Sequence, residues 1–300
     1  MQACGPHDEA TRAMMLRSLL FVPGDSERKQ TKAVDSGADA LLLDLEDSVA
    51  APQLPAARAR VRELLTARTD RSRQQLWVRV NALSSGILLQ DLVAVFPGAP
   101  DGIVLPKAST PAEVAEVGNY LAALEAREGR AVGATKLLVI ATETPQALLT
   151  LSTYTPDARI AGLTWGAEDL SAAIGVTGKT DQQGALTFTF QLARSLCVIT
   201  SAALGVQAID GVYTDFRDAA GLKREADEAR RDGFSGKLAI HPDQAGPINA
   251  AFQPSAAEIE WARRVVAAFA AAPAAGVINL DGKMVDKPHL VQARRILDRF

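Results

Sequence analysis

A short apolar run followed by a helix-forming segment recurs eight times between Ser18 and Ala271, and few folds accept that alternation. The strand-like runs are Ser18–Val22, Ala40–Asp44, Leu76–Val80, Gly102–Leu105, a fifth opening at Leu137, a sixth opening at Ile160, Gln207–Ile209 and Leu238–Ile240. The second is almost continuously apolar, as expected of a parallel strand buried on both faces. Between them, Ser26 begins a helix to about Ser36, Ala56–Arg68 is strongly helical, and Thr110-Pro111 opens a helix to about Glu128. Leu186–Leu204 is a long apolar helix, and Glu225–Asp232 and Ala256–Ala271 lie in two more. The pattern predicts an α/β protein, a closed (β/α)₈ TIM barrel, over 16–272. An open doubly wound sheet is the rival, but Val22-Pro23-Gly24-Asp25-Ser26 lacks the Gly-x-Gly-x-x-Gly spacing usual there. Residues 1–15 read as an unpatterned leader. Residues 273–300 read as a small extension: a Pro/Ala/Gly linker, an extended Val277–Leu280 and a basic amphipathic helix from Pro288.

Composition removes several classes of function. A net charge of −3 gives no footprint for nucleic acid. No apolar run reaches the ~18 residues of a membrane span, and Arg17 interrupts the one segment resembling a signal sequence. The two cysteines, Cys4 in the leader and Cys197 in an apolar helix, cannot form a disulfide framework. A soluble protein of a reducing, cytoplasmic compartment is expected. No Ser/His/Asp set and no Cys/His metal spacing is present, against hydrolytic triads and zinc.

In a barrel, chemistry sits where strands end. The fifth stretch, Leu137 to Pro145, and the sixth, Ile160 to Leu170, each read as a strand whose end carries an acid, Glu143 and Asp169, followed by a helix. On parallel neighbouring strands, Glu143 and Asp169 project into one crevice. Two hard carboxylates with room for water and an oxygen-rich ligand suit Mg²⁺, or Mn²⁺ in its place. The alternative is that each acid merely caps the helix after it. The second run ends in Asp44-Leu45-Glu46-Asp47, three acids in four positions. Glu46 and Asp47 suit water bound to a metal, or an acidic helix cap. In the third run, alternation puts Trp77, Arg79 and Asn81 on one face. Arg79 aimed at an acidic mouth reads as a carboxylate clamp or oxyanion stabiliser, with a structural Arg–Asp pair as the alternative. Lys107 could face the site but reads first as a rim lysine, and His241 reads as a structural histidine rather than a base.

These stretches resemble a known family. Arg17 to Gly24, Asp44 to Val49, Arg79-Val80-Asn81, Leu105-Pro106-Lys107, Glu143-Thr144-Pro145, Gly166 to Leu170 and Ile240-His241-Pro242 are similar, in order, to the citrate lyase β-chain/malyl-CoA lyase family of the HpcH/HpaI aldolase group. The similarity runs from about Arg17 to the C-terminus. It implies a (β/α)₈ barrel and Mg²⁺-dependent, reversible carbon–carbon cleavage of a 3-hydroxyacyl-CoA of the malyl-, citramalyl- or citryl-CoA type. By the resemblance Glu143 and Asp169 hold the metal, Arg79 and Glu143 lie against substrate, and Glu46 and Asp47 hold metal-bound water. The CoA phosphates call for cations at the mouth, with Arg17, Lys29 and Lys32 as candidates beside an ordinary surface role. Asp286, in Met284-Val285-Asp286, resembles a residue that reaches a neighbouring subunit's site as an acid–base group; a helix-capping Asp is the alternative. A homotrimer or dimer of trimers is implied, with free CoA or an acyl carrier protein as the acyl carrier. A thioester hydrolase or synthase, a CoA-independent pyruvate aldolase and a non-catalytic binding subunit remain as other readings. The aldolase branch generally uses a histidine near the second strand end, where this chain has none.

Overall fold

The structure is a computed structural model and describes residues 15–298. The expected leader, with Cys4, therefore lies outside the described residues except for its last position. Eight parallel strands close on themselves in sequence order. They are β1 Ser18–Pro23, β2 Ala40–Asp44, β3 Gln75–Arg79, β4 Gly102–Leu105, β5 Lys136–Ile140, β6 Ile160–Thr164, β7 Gln207–Asp210 and β8 Gly236–Ala239. Helices α1 Glu27–Val34, α2 Leu54–Ala67, α3 Leu88–Val95, α4 Pro111–Arg127 and α5 Pro145–Thr150 follow the first five strands, α2 and α3 on either side of β3. Helices α6 Ala167–Ile174, α7 Phe188–Leu204, α8 Ala219–Asp232 and α9 Ala245–Phe252 complete the barrel. Pairing of β1 with β8 closes it, Leu19 opposite Leu238. This is the (β/α)₈ TIM barrel that the alternation predicts.

Strand alternation sorts side chains into two cores. Leu20, Leu41, Leu43, Leu76, Val78, Ile103 and Val139 face outward, under the helices. Leu19, Leu42, Trp77, Val104, Leu138, Ile209 and Leu238 fill the barrel interior. Trp77 fits because its neighbour on β4 is Gly102, where a Cβ would stand 2.2 Å from the indole ring. The interior is thus a packed plug rather than a pore, and ligands must approach from the mouth.

The opposite end is tied by charge. Arg159, just before β6, places Nη1 and Nη2 each 3.0 Å from the two oxygens of Glu125, which is fully buried at the end of α4. The N–H groups of Gly133 and Thr135 donate to the same carboxylate, both at 2.7 Å. Burial alone would raise the Glu125 pKa; the Arg159 and backbone donors outweigh it and hold the group at about 2. A carboxyl depressed from 4.5 to about 2 stabilises the fold fully above the higher value and loses that contribution as pH falls toward the lower. At 1.36 kcal/mol per unit this amounts to about 2–4 kcal/mol. Glu125→Gln should therefore be less stable than wild type to chemical unfolding near neutrality. The gap should shrink as pH falls from about 5 to about 3. A gap that is absent at pH 7, or constant with pH, would deny the pair this role.

The chain divides between Phe252 and Gln253 into two compact units. The helix Ala256–Ala271, expected as the last barrel helix, belongs to the second unit as α10. Ser255 starts it afresh with a reciprocal capping box to Glu258. Its face Ala262, Val265 and Phe269 packs with Val285 and Ala293. The remainder of this unit is an antiparallel hairpin, β9 Val277–Leu280 and β10 Lys283–Asp286, and α11 Lys287–Asp298. Asp281 and Gly282 make the two-residue turn, both with positive φ, as an Asp-Gly hairpin requires. No helix among the described residues is long and apolar enough to cross a membrane.

Candidate active site at the barrel mouth

The candidate site forms at the C-terminal ends of β1 to β6. β5 and β6 are parallel neighbours, with Ile140 opposite Thr164 and the Ala141 N–H donating to the Thr164 carbonyl at 2.8 Å. Glu143 stands three residues past β5, just before α5, and Asp169 lies in the first turn of α6 rather than on the strand itself. The cap of α5 is Thr144, whose hydroxyl accepts from the Ala147 N–H, so Glu143 is left for other work. Glu143 is only 4% exposed. The loop after β6 can pass it because residue 166 is glycine: a Cβ there would lie 2.7 Å from Glu143 Cγ. The Gly166 N–H is fixed by the Thr142 hydroxyl at 3.1 Å.

Arg79, inward at the top of β3, spends its fork on Asp44 at the top of β2. Nε donates to Oδ1 at 2.6 Å and Nη2 to Oδ2 at 2.7 Å. The remaining nitrogen, Nη1, lies 3.0 Å from Glu46 Oε2 and 3.4 Å from Asp47 Oδ2. The guanidinium stacks 4.6 Å from the centre of the Phe21 ring, a cation–π contact that floors the site. Burial would raise the Asp44 pKa, but Arg79 holds it below its ordinary value. Glu46 goes the other way, raised chiefly by burial. Its buried Oε2 has the ionic contact with Arg79 but no hydrogen-bond partner, so a well-placed donor in the mouth, such as water, would satisfy it.

Lys107 is not a rim residue. Its φ of 53° turns the chain sharply after β4. Its N–H donates to Glu143 Oε2 at 2.6 Å. Its ammonium sits 2.6 Å from Glu46 Oε1, 3.2 Å from Asp47 Oδ1 and 3.3 Å from Asp169 Oδ1. Those partners raise its pKa against the opposing effect of burial, which is the largest single influence.

Seven of the sequence-predicted residues meet or line this mouth: Arg79, Glu46, Asp47, Glu143 and Asp169 come together, with Lys29 and Lys32 on α1 lining the same cleft of about 2200 Å³. Arg17 does not join them. It precedes β1, at the other end of the barrel, where it forks onto Asp39 at 2.8 and 2.9 Å. Asn81 turns away to Asp91 and the Leu45 carbonyl. His241 lines the cleft, stacks on Phe216 at 5.0 Å and accepts from the Asp243 N–H. Asp286 belongs to the C-terminal unit, where its carboxylate pairs with His289 Nδ1 at 2.5 Å at the start of α11. The sequence reading missed Lys107 at the centre and Asp44 as the partner of Arg79. Alternation on β2 already placed Asp44 inward, and that signal was available.

The donor set fits a hard divalent cation. All candidate ligands are carboxylate oxygens. Glu143 has one hydrogen-bonded oxygen, and its pKa is raised to about 8, first by burial and then by Asp169 and Glu46, a cost that a cation would relieve.

Fold and site together define a (β/α)₈-barrel protein with a carboxylate-rich, cation-seeking mouth. The family model described as HpcH/HpaI aldolase/citrate lyase matches residues 17–242, and the chain belongs to that family, placed among the carbon–carbon lyases. A (3S)-malyl-CoA thioesterase of Cereibacter sphaeroides is 35% identical over 96% of this chain and 95% of its own. Citrate lyase subunit beta of Escherichia coli is 36% identical over 94% and 92%. The human mitochondrial citramalyl-CoA lyase is 33% identical over 93% and 83%. Among solved structures, protein CitE from Mycobacterium tuberculosis in complex with magnesium, acetoacetate and coenzyme A superposes with a TM-score of 0.75. It is 33% identical, over 96% of this chain and 99% of that one.

Proposed function

We propose that this chain is a Mg²⁺-dependent acyl-CoA lyase that reversibly cleaves a 3-hydroxyacyl-CoA to a 2-oxo acid and an acyl-CoA. The observation that carries the reading is the convergence of Glu143, Asp169, Arg79, Glu46 and Asp47 in one cleft large enough for a CoA thioester. Glu143 and Asp169 would hold the cation, which supplies Lewis acidity toward the oxygens of the 2-oxo acid half. Arg79 Nη1, the one nitrogen not committed to Asp44 and in contact with Glu46 and Asp47, would offset charge on the oxygen that passes from hydroxyl to carbonyl as the bond breaks. Asp44 keeps that guanidinium oriented. The hydroxyl gives up its proton to an acid–base group, the electron pair of the broken bond goes to the thioester as an enolate, and the same group would return a proton to the enolate carbon. No Schiff-base lysine is required. Lys29 and Lys32 suit the CoA phosphates.

Asp286 is proposed as the acid–base group, delivered to the mouth of a second copy in a homotrimer or dimer of trimers. Its test is complementation. Asp286→Ala and Glu143→Ala chains, each inactive, should regain activity when mixed under proven subunit exchange; no recovery would leave Asp286 as a helix-start residue.

The similarity to a named thioesterase supports a second reading, hydrolysis of the same ligands. Malyl-CoA, citramalyl-CoA and citryl-CoA, assayed in parallel for released 2-oxo acid and free CoA thiol, separate the two. A lyase yields oxo acid without thiol. Thiol without oxo acid supports the hydrolase, and neither product with all three thioesters defeats both readings.

A further inference from the structure

Lys107 touches four acids of the mouth, Glu46, Asp47, Glu143 and Asp169. Its backbone N–H holds Glu143, and its ammonium holds Asp169, the two residues proposed above as metal ligands, on which the following rests. The same ammonium contacts Glu46 and Asp47, so three carboxylates surround a group with three N–H donors. The stem reaches that point from a left-handed backbone, φ 53°, costly for a side-chain-bearing residue and kept only where surrounding contacts impose it. A lysine ammonium is a compact, strongly hydrated cation. It stands where the charge of a divalent ion is wanted.

We propose that Lys107 is a built-in counter-cation that competes with the divalent metal. In the metal-free chain it neutralises the acids of the mouth and keeps them from repelling one another. A divalent ion on Glu143 and Asp169 would face that ammonium within a few ångströms, and the two cannot share Asp169 without strong repulsion. Metal entry therefore requires the ammonium to withdraw along its flexible stem. The coupling is reciprocal: whatever draws Lys107 away, such as an anionic ligand in the cleft, tightens metal binding.

Titration of the metal-free protein with Mg²⁺ by calorimetry, and with Mn²⁺ by electron paramagnetic resonance, tests this without reference to turnover. Lys107→Met keeps length and removes charge, and its Kd should fall about tenfold or more below wild type. Lys107→Arg keeps the charge and should stay near the wild-type Kd. The Tm of Lys107→Met in EDTA should drop, and Mg²⁺ should restore more of it than it adds to wild type. Should Lys107→Met not fold, as judged by circular dichroism, Lys107→Gln carries the same comparison. An unchanged or weaker Kd in the folded, uncharged variant overturns the competition while leaving the metal site standing. If wild type and variants alike bind neither ion, the metal reading itself fails and the competition falls with it.

Discussion

Replacing Glu143 or Asp169 with alanine is expected to lower Mg²⁺-dependent turnover by ~10³-fold or more, because each removes one of the two carboxylates proposed to fix the cation. The fold should survive. Glu143 is buried beside two other acids, and burial is the first reason its pKa is pushed up to about 8. Deleting such a group relieves a desolvation and repulsion cost while orphaning only the Lys107 N–H. The Tm of either variant in EDTA is thus expected to match or exceed that of wild type. Steady-state rates across a Mg²⁺ series, beside melts in EDTA, check both halves. Full activity in Mg²⁺-restored buffer would remove the residue from the metal site, and collapse of the fold would show that the carboxylate is structural.

The second large effect is expected at Arg79. Its planar fork makes two short bonds to Asp44 and still presents Nη1 to Glu46, Asp47 and the cleft. A lysine at this position can satisfy one of these at a time. Arg79→Lys should therefore cost ~2–4 kcal/mol in transition-state stabilisation, almost as much as alanine. Alanine carries an additional fault, since it strands the buried Asp44 carboxylate, a loss of ~3–5 kcal/mol in stability for a broken buried pair. The lysine variant isolates the catalytic contribution. Wild-type kcat/KM in that variant would show that Arg79 acts only as a diffuse charge.

Much of the barrel was legible because parallel strands covered on both faces read as unbroken apolar runs, so β2 and β4 were located to the residue. The short helices α3 and α9 were not, and neither has a Ser, Thr, Asn or Asp immediately before its first residue to announce it. β10 was also overlooked, although Leu280-Asp281-Gly282-Lys283 holds an Asp-Gly turn signal. In the site, acids that follow apolar runs were easy to find. Lys107 was not, because its position depends on a left-handed turn and on three loops meeting from β2, β4 and β6, none of them local in sequence. Arg17 shows the reverse: rank along the chain decided it, for a residue before a barrel strand points to the floor and one after it to the mouth.

Gly166 carries a consequence for reading other members of this family. The backbone there passes so near Glu143 Cγ that the position has no room for even a methyl group. A natural sequence that keeps both acids but places any other residue at this point must have displaced the first of them. On the metal site proposed above, such a chain can look intact when its charged residues are aligned and yet be silent in the assay. The glycine, which bears no chemistry, is thus a diagnostic mark for sorting working copies from decayed ones.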